Sequence, residues 1–222
     1  MKKLILSLLF SIIFIFQSSF IFAEDIDVTK LTQEDIALLE EKANKGDVLY
    51  QNALGEVYYS QGKYNLAEKY WKLASEQGDI EAQYNLGVLY YEQEKYELTE
   101  KYWKLASEQG DAESQRNLGD LYYSQEKYNL AEKYYKLVSE QGDVEAQYNL
   151  GVLYYEQEKY ELAEKYWKLA SEQGNVESQH NLGVFYYEQG KYNLAKIYLK
   201  SSVSNGDETA KELLKLLEQQ GY

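Results

Sequence analysis

The sequence predicts an all-α solenoid of helix pairs, and three observations carry that expectation. A 32-residue unit repeats five times: Asn-Leu-Gly recurs at Asn85-Leu86-Gly87, Asn117-Leu118-Gly119, Asn149-Leu150-Gly151 and Asn181-Leu182-Gly183, after the variant Ala53-Leu54-Gly55. A period of this length marks units that bury their apolar faces only against neighbours. Within each unit the apolar residues follow helical spacing. The chain also contains no proline and no long linker. Together these predict twelve helices and no strands in one domain, with the repeats spanning Gly46–Gln77, Gly78–Gln109, Gly110–Gln141, Gly142–Gln173 and Gly174–Asn205.

Residues 1–23 have the pattern of a signal peptide. Lys2 and Lys3 form a basic head, Leu4–Phe16 is apolar except for Ser7 and Ser11, and Ala23 precedes Glu24. Gln17-Ser18-Ser19 interrupts the apolar run short of the roughly 20 residues a spanning helix needs. An uncleaved anchor is the alternative, and membrane contact is then expected only through this segment. The chain is expected to be exported, either periplasmic or secreted.

Residues 24–45 hold an expected capping helix that starts at Thr32-Gln33-Glu34-Asp35 and runs to about Asn44. In the unit Gly78–Gln109, Asp79 is the N-cap of a first helix whose inner face is Ala82, Leu86, Leu89 and Tyr90. Gly87 falls inside that helix, at a cost of about 1 kcal/mol relative to Ala, and the same cost recurs at Gly55, Gly119, Gly151 and Gly183. Close approach of the second helix accounts for it. Gln93-Glu94-Lys95 forms the turn, where two units place Gly62 and Gly190. The second helix is expected over Tyr96–Glu108, with Leu98, Tyr102, Trp103 and Ala106 inward and Gly110 as its terminator.

Across the units the small residue expected to face the glycine is Ala67, Thr99, Ala131, Ala163 or Ala195. The large residue one turn later is Trp71, Trp103, Tyr135, Trp167 or Leu199. Residues 206–222 contain a last capping helix with Ala210, Leu213, Leu214 and Leu217 inward.

Composition narrows the function. Loss of residues 1–23 leaves 21 basic residues against 37 acidic ones, a formal charge of −16. That opposes binding to nucleic acid or anionic membranes. With no cysteine and the single histidine His180, disulfides and an imidazole-based zinc site are excluded, so no cofactor or metal is expected. No nucleophile–base pair and no phosphate-binding glycine loop stands out, so the chain is expected not to be an enzyme.

The segment AQYNLGVLYYEQ at Ala82–Gln93 and the ending ASEQGD at Ala106–Asp111 resemble the Sel-1-like repeat family. The spacing from Gly87 through Thr99 to Ala106 resembles a tetratricopeptide unit, and the likeness covers about residues 33–219. This resemblance implies a right-handed α-α superhelical solenoid of antiparallel helix pairs, with first helices lining a concave groove that takes a protein or peptide. Some cysteine-rich secreted relatives are described as penicillin-binding or β-lactamase-like. Their architecture depends on cysteine bridges, so that activity is not carried over.

By resemblance, the groove stripe comprises Asn52, Glu56 and Tyr59; Tyr84, Val88 and Tyr91; Arg116, Asp120 and Tyr123; Tyr148, Val152 and Tyr155; and His180, Val184 and Tyr187. Tyrosine offers apolar area, low conformational entropy and a hydroxyl, which suits peptide binding. The candidate contacts are therefore Tyr59, Tyr84, Tyr91, Arg116, Tyr123, Tyr148, Tyr155, His180 and Tyr187. Duplication without selection for binding explains the ladder equally well, and Arg116 and His180 are read either as specificity contacts or as drift. Tyr58 and its equivalents, Tyr70 and its equivalents, and the turn ladder beginning at Tyr64 are packing residues. The tetratricopeptide clamp for C-terminal carboxylates needs several converging cations, and this stripe has only Arg116. Asn85 and its equivalents are expected to bond adjacent backbone. A non-catalytic scaffold is the principal expectation; a cell-envelope enzyme and a purely structural spacer are the alternatives.

Overall fold

The computed structural model describes residues 31–221; the expected signal segment lies outside them. Among the described residues there are twelve α-helices and no strand: α1 (Gln33–Asn44), α2 (Val48–Ser60), α3 (Tyr64–Glu76), α4 (Ile80–Glu92), α5 (Tyr96–Glu108), α6 (Ala112–Ser124), α7 (Tyr128–Ser139), α8 (Val144–Glu156), α9 (Tyr160–Glu172), α10 (Val176–Glu188), α11 (Tyr192–Ser204) and α12 (Ala210–Gln219). None is long and apolar enough to cross a membrane. The chain divides into two compact units at a repeat boundary, one ending at Gln109 and the other beginning at Gly110. Within each unit, every helix packs against the next in sequence.

Local chemistry sets the helix ends. The carboxylate of Asp79 accepts from the Ala82 amide at 2.8 Å, and Asp111, Asp143 and Asn175 cap α6, α8 and α10 in the same way. Each satisfies a donor the helix leaves unpaired. Thr32 and Asp35 form a reciprocal capping box at α1. The second helices have no side-chain cap; they enter from a tight turn whose middle residue has φ between 57° and 71°.

The joint between paired helices differs from the sequence expectation in one respect. The large residue, a ring in four pairs and Leu199 in the fifth, lies on the glycine rather than the small one. A Cβ on Gly87 would stand 2.1 Å from Trp103 Cδ1, and one on Gly119 would stand 2.5 Å from Tyr135 Cδ1. Ala67, Ala131, Ala163 and Thr99 are fully buried beside the joint. The Thr99 hydroxyl donates to the Lys95 carbonyl at 3.2 Å, so its burial leaves no unpaired group. Leu98 is a correction: it is 37% exposed, and Leu66, Leu130, Leu162 and Leu194 are similarly exposed. The helix turns Thr99, Tyr102, Trp103 and Ala106 inward, which rotates Leu98 to the surface.

The buried tyrosine ladder packs as its spacing implies. Tyr90 stacks on Tyr102 at 5.5 Å, as do Tyr122 on Tyr134 and Tyr154 on Tyr166. The Tyr90 hydroxyl reaches Glu68 at 2.8 Å, and Lys72 pairs with that carboxylate at 2.6 Å. Tyr154 with Glu132 and Tyr186 with Glu164 repeat the arrangement. Buried hydroxyls thus keep hydrogen-bond partners. At the end of the chain, α12 buries Ala210 and Leu217, while Leu213 and Leu214 are half-buried.

Candidate functional site

The stripe lies on the first helix of each pair, one turn from the buried face. Tyr59 packs edge-on to Tyr64 at 5.5 Å and tilts against Trp71 at 5.5 Å. Tyr91 meets Tyr96 and Trp103, and Tyr155 meets Tyr160 and Trp167, in the same way. Tyr123 packs on Tyr128, and Tyr187 on Tyr192. Each repeat therefore carries an aromatic cluster at its turn, with Tyr64, Tyr96, Tyr128 and Tyr160 exposed. The turn ladder is more open to solvent than a packing role requires.

The stripe tyrosines differ among themselves. Tyr91 is 47% exposed. Tyr59, Tyr123, Tyr155 and Tyr187 are half-buried. The Tyr59 hydroxyl donates to Glu92 at 2.6 Å, and Tyr123 to Glu156 at 2.6 Å. Burial and then Glu92 push the Tyr59 phenol up to about 12, and burial with Glu156 raises Tyr123 as well. Tyr155 donates to Glu188 at 3.2 Å. These contacts join neighbouring repeats within a unit as well as presenting rings to solvent.

Arg116 and His180 occupy equivalent places and make equivalent bonds. Arg116 pairs at 3.0 Å with Asp143, the N-cap of α8. His180 Nδ1 lies 2.6 Å from Asp207, which also accepts from Ser202 and Thr209. Burial opposes ionisation of Asp207, but those hydrogen bonds hold it well below the usual carboxylate range. Tyr84 is half-buried, and its carbonyl accepts from the Trp103 indole at 3.2 Å. Tyr148 is half-buried, with its phenol raised by burial and Glu177 and steadied by a hydrogen bond with Asn181. Asn149 donates to the Asp120 side chain at 3.0 Å, so this member of the Asn-Leu-Gly series serves a carboxylate rather than the backbone.

One place on the stripe is a cleft of about 180 Å³, lined by Glu56, Tyr59, Trp71, Glu81, Asn85 and Val88. Asn52 Nδ2 donates to Glu81 at 2.8 Å and stands 3.4 Å from Glu56. Burial pushes the Glu56 carboxyl up to about 7, with the negative charges of Glu81 and Asp79 adding to it. Glu81 is raised by burial and Asp79. Among the described residues no group of three or more His, Cys, Asp or Glu is placed to hold a metal ion. Glu81 and Trp71 were not among the sequence-derived candidates, because Glu81 comes from the next repeat's first helix and Trp71 reads as core.

Consecutive helix hairpins, four locked by a ring on a glycine and the fifth by Leu199, define a helical-repeat protein of the interaction-module class. The chain belongs to the tetratricopeptide repeat family: tetratricopeptide repeat models match residues 44–103 and 116–175, and a further one matches 176–204. Among solved structures, a protective antigen of uropathogenic Escherichia coli displaying an SLR fold is 26% identical with a TM-score of 0.66. That match covers 86% of this chain but 46% of the antigen, so this chain spans under half the antigen's length. A Sel1 repeat protein from Oxalobacter formigenes is 26% identical with a TM-score of 0.62, over 83% of this chain and 78% of that one. YrrB, a tetratricopeptide-repeat protein with an unusual peptide-binding site, shares the fold at 21% identity and a TM-score of 0.61, over 81% of this chain and 96% of its own. No curated protein matches the chain in sequence. Proteins of these repeat families are generally non-catalytic modules that bind proteins or peptides.

Proposed function

We propose that this chain is an exported, non-catalytic scaffold that binds a protein or peptide along the tyrosine-bearing face of its first helices. The observation that carries the proposal is the aromatic cluster at each turn, most open at Tyr91 and Tyr96. Rigid aromatic side chains supply large contact area at low entropic cost and dominate interface energetics. Export rests on the composition of residues 1–23. The fold holds a peptide-binding site in YrrB, which supports the choice of partner class.

The test is capture of partners from the native envelope or medium by immobilised protein. The double substitution Tyr91→Ala with Tyr96→Ala is expected to weaken capture about 30-fold or more, at about 1–2 kcal/mol per aromatic contact. Helicity should be unchanged, since both side chains are exposed. Tyr90→Ala, one residue away and fully buried, should unfold the unit instead. A folded double variant that captures at full strength overturns the proposal.

A further inference from the structure

We infer that the cleft in front of the first repeat's glycine–tryptophan joint receives a guanidinium, the side chain of one arginine on a basic partner polypeptide. This assigns a subsite within the protein-binding role proposed above and rests on it. Three observations converge. The cleft sets two carboxyl groups side by side, Glu56 from the middle of α2 and Glu81 from the first turn of α4. Asn52 is 6% exposed and bridges both through its amide nitrogen, yet its Oδ1 is buried with no hydrogen-bond partner. A buried acceptor left unpaired is a cost that folded proteins rarely keep. The wall opposite is aromatic: Trp71, 3% exposed and with its indole N–H also unpartnered, tilts against Tyr59.

Acceptors and ring faces with no basic neighbour describe a cation site. Among the described residues no lysine or arginine pairs with Glu56 or Glu81, and the charges acting on Glu56 are themselves acidic. A guanidinium fits the carboxyl pair and the rings: its fork matches a carboxylate, and its flat face stacks on an indole or phenol ring. An ammonium offers fewer donors and no face.

The third repeat supplies an internal template. Arg116 stands at the position equivalent to Asn52, and Asp120 and Asp143 are the equivalents of Glu56 and Asp79. There the chain's own guanidinium pairs with Asp143 at 3.0 Å; burial raises the Asp120 carboxyl, and the Tyr135 hydroxyl, then Arg116, oppose that rise. The first repeat keeps the acids and replaces the arginine by asparagine. The acidic excess of the whole chain, 37 Asp and Glu against 23 Lys and Arg, favours approach of a basic segment.

The experiment is a titration of the full chain with a capped nonapeptide of glycine and alanine carrying one central arginine. Matched peptides carry citrulline, which keeps the shape without the charge, or lysine. The chain has three tryptophans, so indole N–H resonances resolve Trp71 from Trp103 and Trp167. The arginine peptide is expected to shift Trp71 saturably, the citrulline peptide to leave it unmoved, and the lysine peptide to bind about threefold or more weakly. Glu56→Val should weaken arginine binding about tenfold or more, with Trp103 and Trp167 unshifted in the free protein. Valine is the chain's own residue at positions 88, 152 and 184, so the variant is expected to fold.

Affinity should rise about tenfold from pH 6 to pH 8. Glu56, faced by Glu81 and Asp79 from α4 and its cap and by Tyr59 on α2, must release a proton to pair with the cation. Equal binding of arginine and citrulline peptides, unchanged binding by Glu56→Val, or no saturable shift at Trp71 overturns the inference. If native-partner capture still depends on Tyr91 and Tyr96 but not on Glu56, the scaffold role stands and the arginine subsite falls. If it depends on neither, both fall.

Discussion

The first and third repeats put an acid at the same point, directly after the joint glycine, and treat it in opposite ways. Asp120 accepts from the Tyr135 hydroxyl at 2.7 Å and from Asn149 at 3.0 Å, with Arg116 nearby. Glu56 faces a second carboxylate and a tryptophan, whose N–H makes no bond. The exchange of Trp for Tyr at the joint is what provides the hydroxyl for Asp120. One scaffold position is therefore closed by the protein's own side chains in one repeat and open to an outside group in the other. The likeness of the two repeats, identical at 22 of 32 positions, conceals this.

The joint itself should not distinguish them. Gly55→Ala would place a Cβ 2.4 Å from Trp71 Cδ1, and Gly119→Ala would place one 2.5 Å from Tyr135 Cδ1. Both rings are buried, so neither swings away freely. Each substitution is expected to cost about 3 kcal/mol, the upper range of overpacking, as measured by urea denaturation. A cost below about 1 kcal/mol in either repeat would mean that the ring moves and the joint is not what fixes the pair.

The acids should then separate the repeats, and pH is the lever. Burial, Glu81 and Asp79 raise Glu56 from 4.5 to about 7. Between those values the folded chain holds a proton that the unfolded chain has released, so this group's contribution to stability falls as pH rises through the window. Glu56→Val removes that penalty. It is expected to stabilise by about 1–2 kcal/mol at pH 8, discounted for solvent access and for the charge shared with Glu81, and by little at pH 4.5. Asp120→Val should instead destabilise by about 1–2 kcal/mol at pH 8, because it strands the Tyr135 hydroxyl and the Asn149 amide. Two urea midpoints per protein decide it; equal signs for the two variants would erase the distinction.

Much of the fold was legible because the physics is local. The 32-residue period, the Asp N-caps and the mid-helix glycines each imply a contact that does not need the rest of the molecule, and the boundaries of α5 at Tyr96 and Glu108 follow from them. Leu98 was misplaced because a leucine one turn before an inward tyrosine fits the helical period as well as Thr99 does. Only the ring lying on Gly87 fixes the helix rotation. The stripe was harder still. Position along α2, α4, α6, α8 and α10 puts Tyr91 off the buried face, where it is exposed, but spacing does not reveal that Tyr123 and Tyr155 tie their hydroxyls to Glu156 and Glu188 one repeat on. The cleft needed Asn52 and Glu56 from one repeat and Glu81 from the next, a grouping visible only once the helices are packed.

The smallest expected difference between the two repeats is a single turn residue. Gly62 has φ 71° in the first repeat, and Glu126 has φ 57° in the third. The surrounding hydrogen bonds are the same: the turn residue's amide reaches the stripe tyrosine's carbonyl at 2.9 Å, and the following lysine's amide reaches the buried tyrosine's carbonyl at 2.8 Å. The backbone is thus common to both, and the side chain is the variable. A residue with a Cβ in the left-handed region costs about 1 kcal/mol or more, while glycine gives back part of that gain through the freedom of its unfolded chain. Glu126→Gly is therefore expected to stabilise by about 0.5 kcal/mol, and Gly62→Glu to destabilise by about as much. Urea denaturation of both variants measures the pair. A loss in Glu126→Gly would mean that the Glu126 side chain makes a contact outweighing its backbone strain, and that the turns of the two repeats differ in more than φ.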